Sequence, residues 1–254
     1  MYALSIAFMP SGELFSMEMN LIPKQPTLDN FAQAFTKTPL FRFILNSFLV
    51  AGCITLGQII SCSLAAFALS FLDFKGKNVI FMLIMATMMV PGEATIISNY
   101  LTVSGWGWLN SYKVLIIPYI TSAMGIFLFR QFYLTFPKSL YEAAKIDGAS
   151  GWKSLWHITI PNVMPSITIC TFLSLTNGFK LYDQNLALTG GEPYVQLTDG
   201  NVIKTTEMLA LNIVSSNTSN TKGPGQAKAV VFFILVGIIG IAQLIATRKK
   251  EVQQ

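Results

Sequence analysis

Tyr141–Pro161 reads YEAAKIDGASGWKSLWHITIP, a polar, charge-bearing segment set between two long apolar runs, Val114–Phe132 and Asn162–Tyr182. Ser139 is placed to cap a helix that Glu142, three residues on, closes reciprocally, so a helix is expected from about Leu140. Gly148 after Asp147 supplies a residue tolerant of positive φ to end it, and Ser150 caps a second helix with Trp152, Leu155, Trp156 and Thr159 on one face. Pro161 cannot continue the ladder at Ile160, so that helix stops or bends where the next apolar run begins. Two short helices joined at a glycine, lying against a membrane face, are what the segment implies.

The runs around it fix the class. Hydrophobic residues make up 52% and charged residues 11% of 254, with a mean hydropathy of +0.54. A soluble domain carries about a quarter charged residues, so this is a membrane chain. Phe43–Phe71, Val79–Ile97, Val114–Phe132, Asn162–Tyr182 and Ala229–Thr247 are five expected spans, the second interrupted by Pro91-Gly92 and carrying Glu93. Ser61, Ala65, Ala66, Ala68 and Ser70 give the first run small faces for close helix contact. Trp106, Trp108 and Tyr112 suit a headgroup belt. Met1–Met9 is too short to span, and Phe31, Ala34 and Phe35 mark a short amphipathic helix. The longest polar stretch, 185–228, carries a short helix expected over Thr205–Ile213.

Charge sets the orientation. The segments holding Lys75, Lys77, Arg130, Lys138, Lys145, Lys153, Arg248, Lys249 and Lys250 are denser in cations than those holding Lys24, Lys37, Arg42, Lys113, Lys204, Lys222 and Lys228. Tyr141–Pro161 and the C-terminal tail are therefore expected in the cytoplasm. The net charge of +5 comes without any basic cluster interleaved with aromatics, so no nucleic-acid partner is implied. Cys53, Cys62 and Cys170 lie in apolar runs without metal-ligand spacing, and read as small buried side chains.

Glu142-Ala143-Ala144, then Gly148, then nine residues, then Ile158-Thr159-Ile160-Pro161, resembles the EAA loop of ABC importer permeases, E-A-A-x3-G-x9-I-x-L-P, with Ile160 the one departure. Leu109-Asn110-Ser111, Gly125–Tyr133 (GIFLFRQFY), Pro137–Pro165 and Asn177–Pro193 are similar to the carbohydrate-uptake subgroup, the multiple-sugar, maltose and glycerol-phosphate-like permeases. The resemblance implies an all-α, polytopic membrane helix bundle, the type I importer transmembrane domain, with the family's first span reduced to a remnant. It divides the chain into residues 1–42 (remnant and interfacial segment), a permease domain 43–247 with a cytoplasmic coupling loop 137–161 and an extracellular loop 185–228, and a cytoplasmic tail 248–254.

By the same resemblance the loop docks on an ATPase through Glu142, Ala143, Ala144, Asp147, Gly148, Ile158 and Pro161, with Glu142 the principal docking residue, Gly148 the hinge, and Trp152 and Trp156 anchors. Implied partners are cytoplasmic ATPase subunits, a second homologous permease, an extracellular substrate-binding protein, a carbohydrate and membrane lipid, in a prokaryotic cell membrane. No G-x4-G-K-[S/T] loop occurs, so ATP is expected on a partner subunit and the chain binds no cofactor itself. With His157 the single histidine and no paired cysteines or hydrolase motif, no catalytic or metal set can be assembled, and no enzyme is expected.

Ionisable groups inside spans are costly and default to function. Glu93, Lys180 and Asp183 are the three, and Lys180 and Asp183, three apart, can pair on one helical face. With Asn177, Tyr182, Phe179, Gln184 and Asn185 they form a polar and aromatic patch suited to a sugar, the alternative being that Lys180 and Asp183 are a structural pair near the outer interface. The alternatives are an ABC permease for a peptide, phosphate or amino acid, and a secondary transporter or channel without an ATPase.

Overall fold

The computed structural model describes residues 2–14, 22–135, 163–196, 202–218 and 221–248. Helix dominates, because backbone groups in hydrocarbon must be satisfied within the chain. The short helices α1 (Tyr2–Ala7) and α2 (Ser11–Leu14) precede α3 (Asp29–Thr36), the expected amphipathic segment, which buries Asn30 and Ala34. The 32-residue α4 (Leu40–Phe71) follows. A turn with Gly76 at φ +86° leads to α5 (Lys77–Thr87), and Lys77 bridges back to Asp73 at 2.9 Å. The axis then bends by 100° into α6 (Gly92–Gly105), at the predicted Pro91-Gly92 interruption.

The third run is itself interrupted. It comprises α7 (Tyr112–Ile116), a 3-10 turn over Ile117–Tyr119, and α8 (Ala123–Thr135). Then come α9 (Met164–Phe179), α10 (Tyr182–Leu188), an antiparallel hairpin of β1 (Tyr194–Gln196) and β2 (Val202–Lys204), α11 (Leu209–Thr218) and the 27-residue α12 (Lys222–Arg248). Among the described residues, Leu40–Phe71, Tyr112–Thr135 and Lys222–Ala246 are long and apolar enough to cross a membrane, and the bent pair makes a fourth if counted as one span. Five were expected. The remaining run, α9, has 16 residues, about 24 Å against a hydrocarbon thickness of about 30 Å.

Two compact units divide the chain: Met1–Ala51 with Ile96–Leu115 and Asn177–Ile238, and Gly52–Thr95 with Ile116–Thr176 and Ile239–Gln254. In the first, Leu40 and Phe43 pack with Leu209 and Ile213, and Phe179 is fully buried between the Phe48 and Phe232 rings. Gly178 lies against Ala51 so closely that a Cβ there would meet the Ala51 Cα and Cβ at 2.8 Å. The stretch expected as a long loop, 185–228, is instead largely folded. Asn185 organises part of it, donating to Thr189 Oγ1 (2.9 Å) and the Thr206 carbonyl (3.0 Å) while accepting from the Met208 N–H (2.9 Å). The helix expected over Thr205–Ile213 runs Leu209–Thr218, because Thr205–Met208 is spent on these and neighbouring anchoring bonds.

In the second unit Cys62, Ala66, Leu69, Ile126, Phe129, Tyr133, Val163 and Cys170 form the core. Gly125 permits the approach, since a Cβ there would meet Cys62 Sγ at 2.9 Å. Arg130, expected to reach toward the interface, places its guanidinium 4.1 Å from the centre of the Phe81 ring. Cys53 departs from the expected burial: it is exposed, on the α4 face that also exposes Leu56, Ile60 and Leu64, while Cys62 and Cys170 are buried.

Candidate functional site

The break in the third run begins five residues inside a 24-residue apolar stretch. Pro118 lacks an N–H and the chain leaves the α-helical ladder until Ala123, which frees carbonyls that hydrocarbon cannot serve. One face of α4 serves them. Gln58 Nε2 donates to the Tyr119 carbonyl at 2.8 Å, Ser61 Oγ to the Ile120 carbonyl at 2.6 Å, and Cys62 Sγ to the Ser122 carbonyl at 3.3 Å. Gly57 makes room, since a Cβ there would stand 2.8 Å from the Ile120 Cβ. Ser61 and Thr121 hydroxyls are 3.1 Å apart. Each buried carbonyl left without a partner costs about 1–3 kcal/mol, so the G-Q-x-x-S-C pattern at 57–62 is what makes the break tolerable.

The predicted pathway residues are placed unevenly. Glu93 sits exposed in the first turn of α6, where the helix dipole favours a carboxylate. The bend beside it is served by its own residues: the Met88, Met89 and Val90 N–H groups bond three residues back, and the Thr87 and Thr95 hydroxyls bond the Ile84 and Gly92 carbonyls. Asn177 and Lys180 are exposed and Tyr182 is half-buried. The expected Lys180–Asp183 pair does not form. Lys180 lies in the turn after Phe179, Leu181 leaves helix with ψ +71°, and Asp183 belongs to a new helix, so the two exposed side chains no longer share a face. Asn185 leaves the patch too, being buried in the structural bonds given above. The coupling residues Glu142, Ala143, Ala144, Asp147, Gly148, Ile158 and Pro161, with Trp152 and Trp156, lie outside the described residues.

A polar cluster that the sequence reading passed over lies in the first unit. Lys228, 2% exposed, donates to Asn212 Oδ1 (2.8 Å) and Ser216 Oγ (2.9 Å), and Asn212 Nδ2 donates to Glu207 Oε1 (3.3 Å). Glu207 is 3% exposed. Burial pushes its carboxyl above the ordinary 4.5, against the opposing pulls of Lys204, the Asn212 amide and Lys228. Asn46 on α4 donates to the Thr205 and Glu207 carbonyls and accepts from the Tyr112 hydroxyl, while Ser47 accepts from the Leu209 N–H. Lys228 opens the apolar stretch Ala227–Ile239 in helical register, the one sequence signal that it would be buried.

Residues 57–251 match the binding-protein-dependent transport system inner membrane component family. This chain belongs to that family. It is therefore a multi-pass component of a transport system in the inner membrane. The sn-glycerol-3-phosphate transport system permease protein UgpE of Yersinia pestis is 32% identical over 192 residues, 72% of this chain and 68% of the relative. The same-named protein of Escherichia coli O1:K1 is 33% identical over the same shares. A bacterial ABC transporter involved in the import of the acidic polysaccharide alginate contains a chain that superposes with a TM-score of 0.75 at 17% identity, covering 96% of this permease and 88% of that chain. A second structure of an alginate transporter, in complex with its alginate pentasaccharide-bound periplasmic protein, gives 0.67 at 15% identity over 87% and 82%. At those identities the two structures speak for the fold: the helix bundle of an ABC importer transmembrane domain.

Proposed function

We propose that this permease carries a carbohydrate, or a carbohydrate derivative such as a polyol phosphate, into the cell as one half of the membrane channel of an ATP-driven importer. The observation that carries the reading is that the Glu142–Pro161 motif falls inside the matched 57–251. The relatives named above that are 32% and 33% identical over 192 residues are sn-glycerol-3-phosphate transport system permeases. Cytoplasmic ATPase subunits grip the loop 137–161 through Glu142, with Gly148 as hinge, and their closure on ATP rocks two permease halves so that a central site opens alternately to either side. A second, homologous permease supplies the other half, and a binding protein outside delivers the cargo. The chain itself carries out no chemistry; hydrolysis belongs to the ATPase. The 43–247 segment forms the bundle, with 1–42 at the interface, 185–228 outside and 248–254 in the cytoplasm.

The test is affinity purification of the tagged chain from its own membranes, followed by reconstitution. An ATPase and a non-identical permease should co-purify, and vesicles should accumulate labelled sugars or sn-glycerol-3-phosphate only with ATP. Isolation of the chain alone, with uptake driven by an ion gradient, would show a secondary carrier. Uptake of peptides or amino acids in place of sugars would change the cargo class. Asn177→Leu or Lys180→Leu should alter substrate range or stimulated ATPase activity; unchanged behaviour with every cargo would remove both from the pathway, where Glu93, Tyr182 and Asp183 are also placed.

A further inference from the structure

Irregular backbone at membrane depth survives where protein buries it or where it borders water, and not against lipid tails. The break at Ile117–Ser122 is only partly covered by protein: Ile117 is 42% exposed and Thr121 is exposed, while its inward carbonyls are taken by Gln58, Ser61 and Cys62. The opposite side of α4, with Cys53, Leu56, Ile60 and Leu64 exposed, is uniformly apolar and fits lipid. We infer that the exposed side of this break, at Thr121 and Gln58, lines the water-filled translocation pathway and presents hydrogen-bond acceptors to the hydroxyl groups of the passing carbohydrate.

The polarity follows from counting protons. Ser61 has one hydroxyl proton, and it goes to the Ile120 carbonyl at 2.6 Å. The 3.1 Å contact between Ser61 and Thr121 therefore uses the Thr121 proton, which leaves the Thr121 oxygen with lone pairs only. Gln58 spends one of its two amide N–H groups on Tyr119 and keeps the other, and its amide oxygen has no partner among the described residues. Two acceptors against one remaining donor, without charge, make a surface that favours hydroxyl groups, which can give a proton to either acceptor and still accept from the Gln58 N–H. Sugar hydroxyls satisfy it, whereas phosphate and carboxylate oxygens bring no proton to share. The patch thus contacts the polyol part of the cargo, and any acidic group is handled elsewhere. This deepens the importer reading and rests on it.

The test is thiol labelling of the purified, assembled complex in vesicles, with Thr121→Cys as the only change and each site quantified by peptide mass spectrometry. Native Cys53, on the lipid-facing side, is the internal comparator. A thiol must ionise to react, so in hydrocarbon it stays inert; Thr121→Cys should react at least about ten-fold faster than Cys53 with a charged methanethiosulfonate. Relative to a free thiol in solution, the cationic reagent should outpace the anionic one by about three-fold or more, as acceptor-lined walls require. Labelling of Thr121→Cys no faster than Cys53 would overturn the pathway assignment, and equal or faster reaction with the anionic reagent would overturn the acceptor assignment. Should Thr121→Cys fail to assemble, Ile117→Cys carries the same expectations. Labelling needs neither cargo nor nucleotide, so a complex without ATP-driven uptake sinks the importer reading while a fast-reacting Thr121→Cys still shows that the break borders water, and an inert Thr121→Cys in a complex that transports sinks only this inference.

Discussion

Removing the charge of Lys228 tests how the first unit holds together. Lys228→Met takes away two charge-assisted bonds, to Asn212 Oδ1 and Ser216 Oγ, and leaves the Asn212 amide and the Glu207 carboxylate buried without their cation. Breaking a fully buried ionic arrangement from one side costs about 3–5 kcal/mol. Here an amide separates the charges, so the lower end, about 3 kcal/mol, is expected. At about 2–4 °C per kcal/mol for a chain of this size, the melting temperature should drop by about 6–12 °C. Glu207→Gln keeps the bond from Asn212 and removes a charge whose burial outweighs its attraction to Lys204 and Lys228, so it should cost less than about 1 kcal/mol. The double variant, with both charges gone, should recover at least about 1 kcal/mol against the sum of the singles. Thermal unfolding of the detergent-purified protein, followed by tryptophan fluorescence across the full cycle, measures this. Additivity within about 0.5 kcal/mol would show that Glu207 and Lys228 do not sense each other through Asn212, and the cluster would reduce to separate hydrogen bonds.

The same carboxyl gives a pH signature. Its folded value lies above its unfolded 4.5, so the native state holds the proton more tightly; the stabilisation is complete below 4.5 and is lost as pH rises through the raised value. Melting temperature should fall over that window and Glu207→Gln should flatten the slope; an unchanged slope would assign the titration to another group. Gly178→Ala should cost about 1–3 kcal/mol by overpacking, and Ala51→Gly should not rescue it, because the obstructing atoms include the Ala51 Cα at 2.8 Å. Full rescue in the same melting assay would mean that side chain alone sets the contact. Glu142→Lys or Gly148→Asp should abolish ATP-driven uptake while the chain still inserts, and normal uptake in either would refute the docking role of the loop.

The apolar runs were legible because their signal is local: stretches whose length can be counted. Pro91-Gly92 announced the 100° bend, since proline and glycine act on their own backbone. What escaped depends on partners far apart in the chain. Asn46 meets Thr205 and Glu207 across 159 and 161 positions, and no periodicity in either segment reports that encounter. The Lys180–Asp183 pair was misjudged for the opposite reason: a three-residue spacing presumes an unbroken helix, and Leu181 ends it. Asn185 has the side chain of a binding residue but is spent on anchoring Thr189, Thr206 and Met208, which its amide chemistry suits equally well. The break at Ile117–Ser122 had a visible half, Pro118; the half on α4 was hidden among residues that read simply as small.

Asn30 donates to the Ile6, Ala7 and Met9 carbonyls, Gly223 sits directly on it, and Ala7, Ala34 and Ala227 form one cluster. During synthesis the 6–34 segment therefore emerges long before Gly223 and Ala227, which pack on it. A copy cut short ahead of Gly223 would leave Asn30, Ala7 and Ala34 packed on one another but open on the side that Gly223 and Ala227 cover, so the completeness of α12 is written into the exposure of a segment made far earlier.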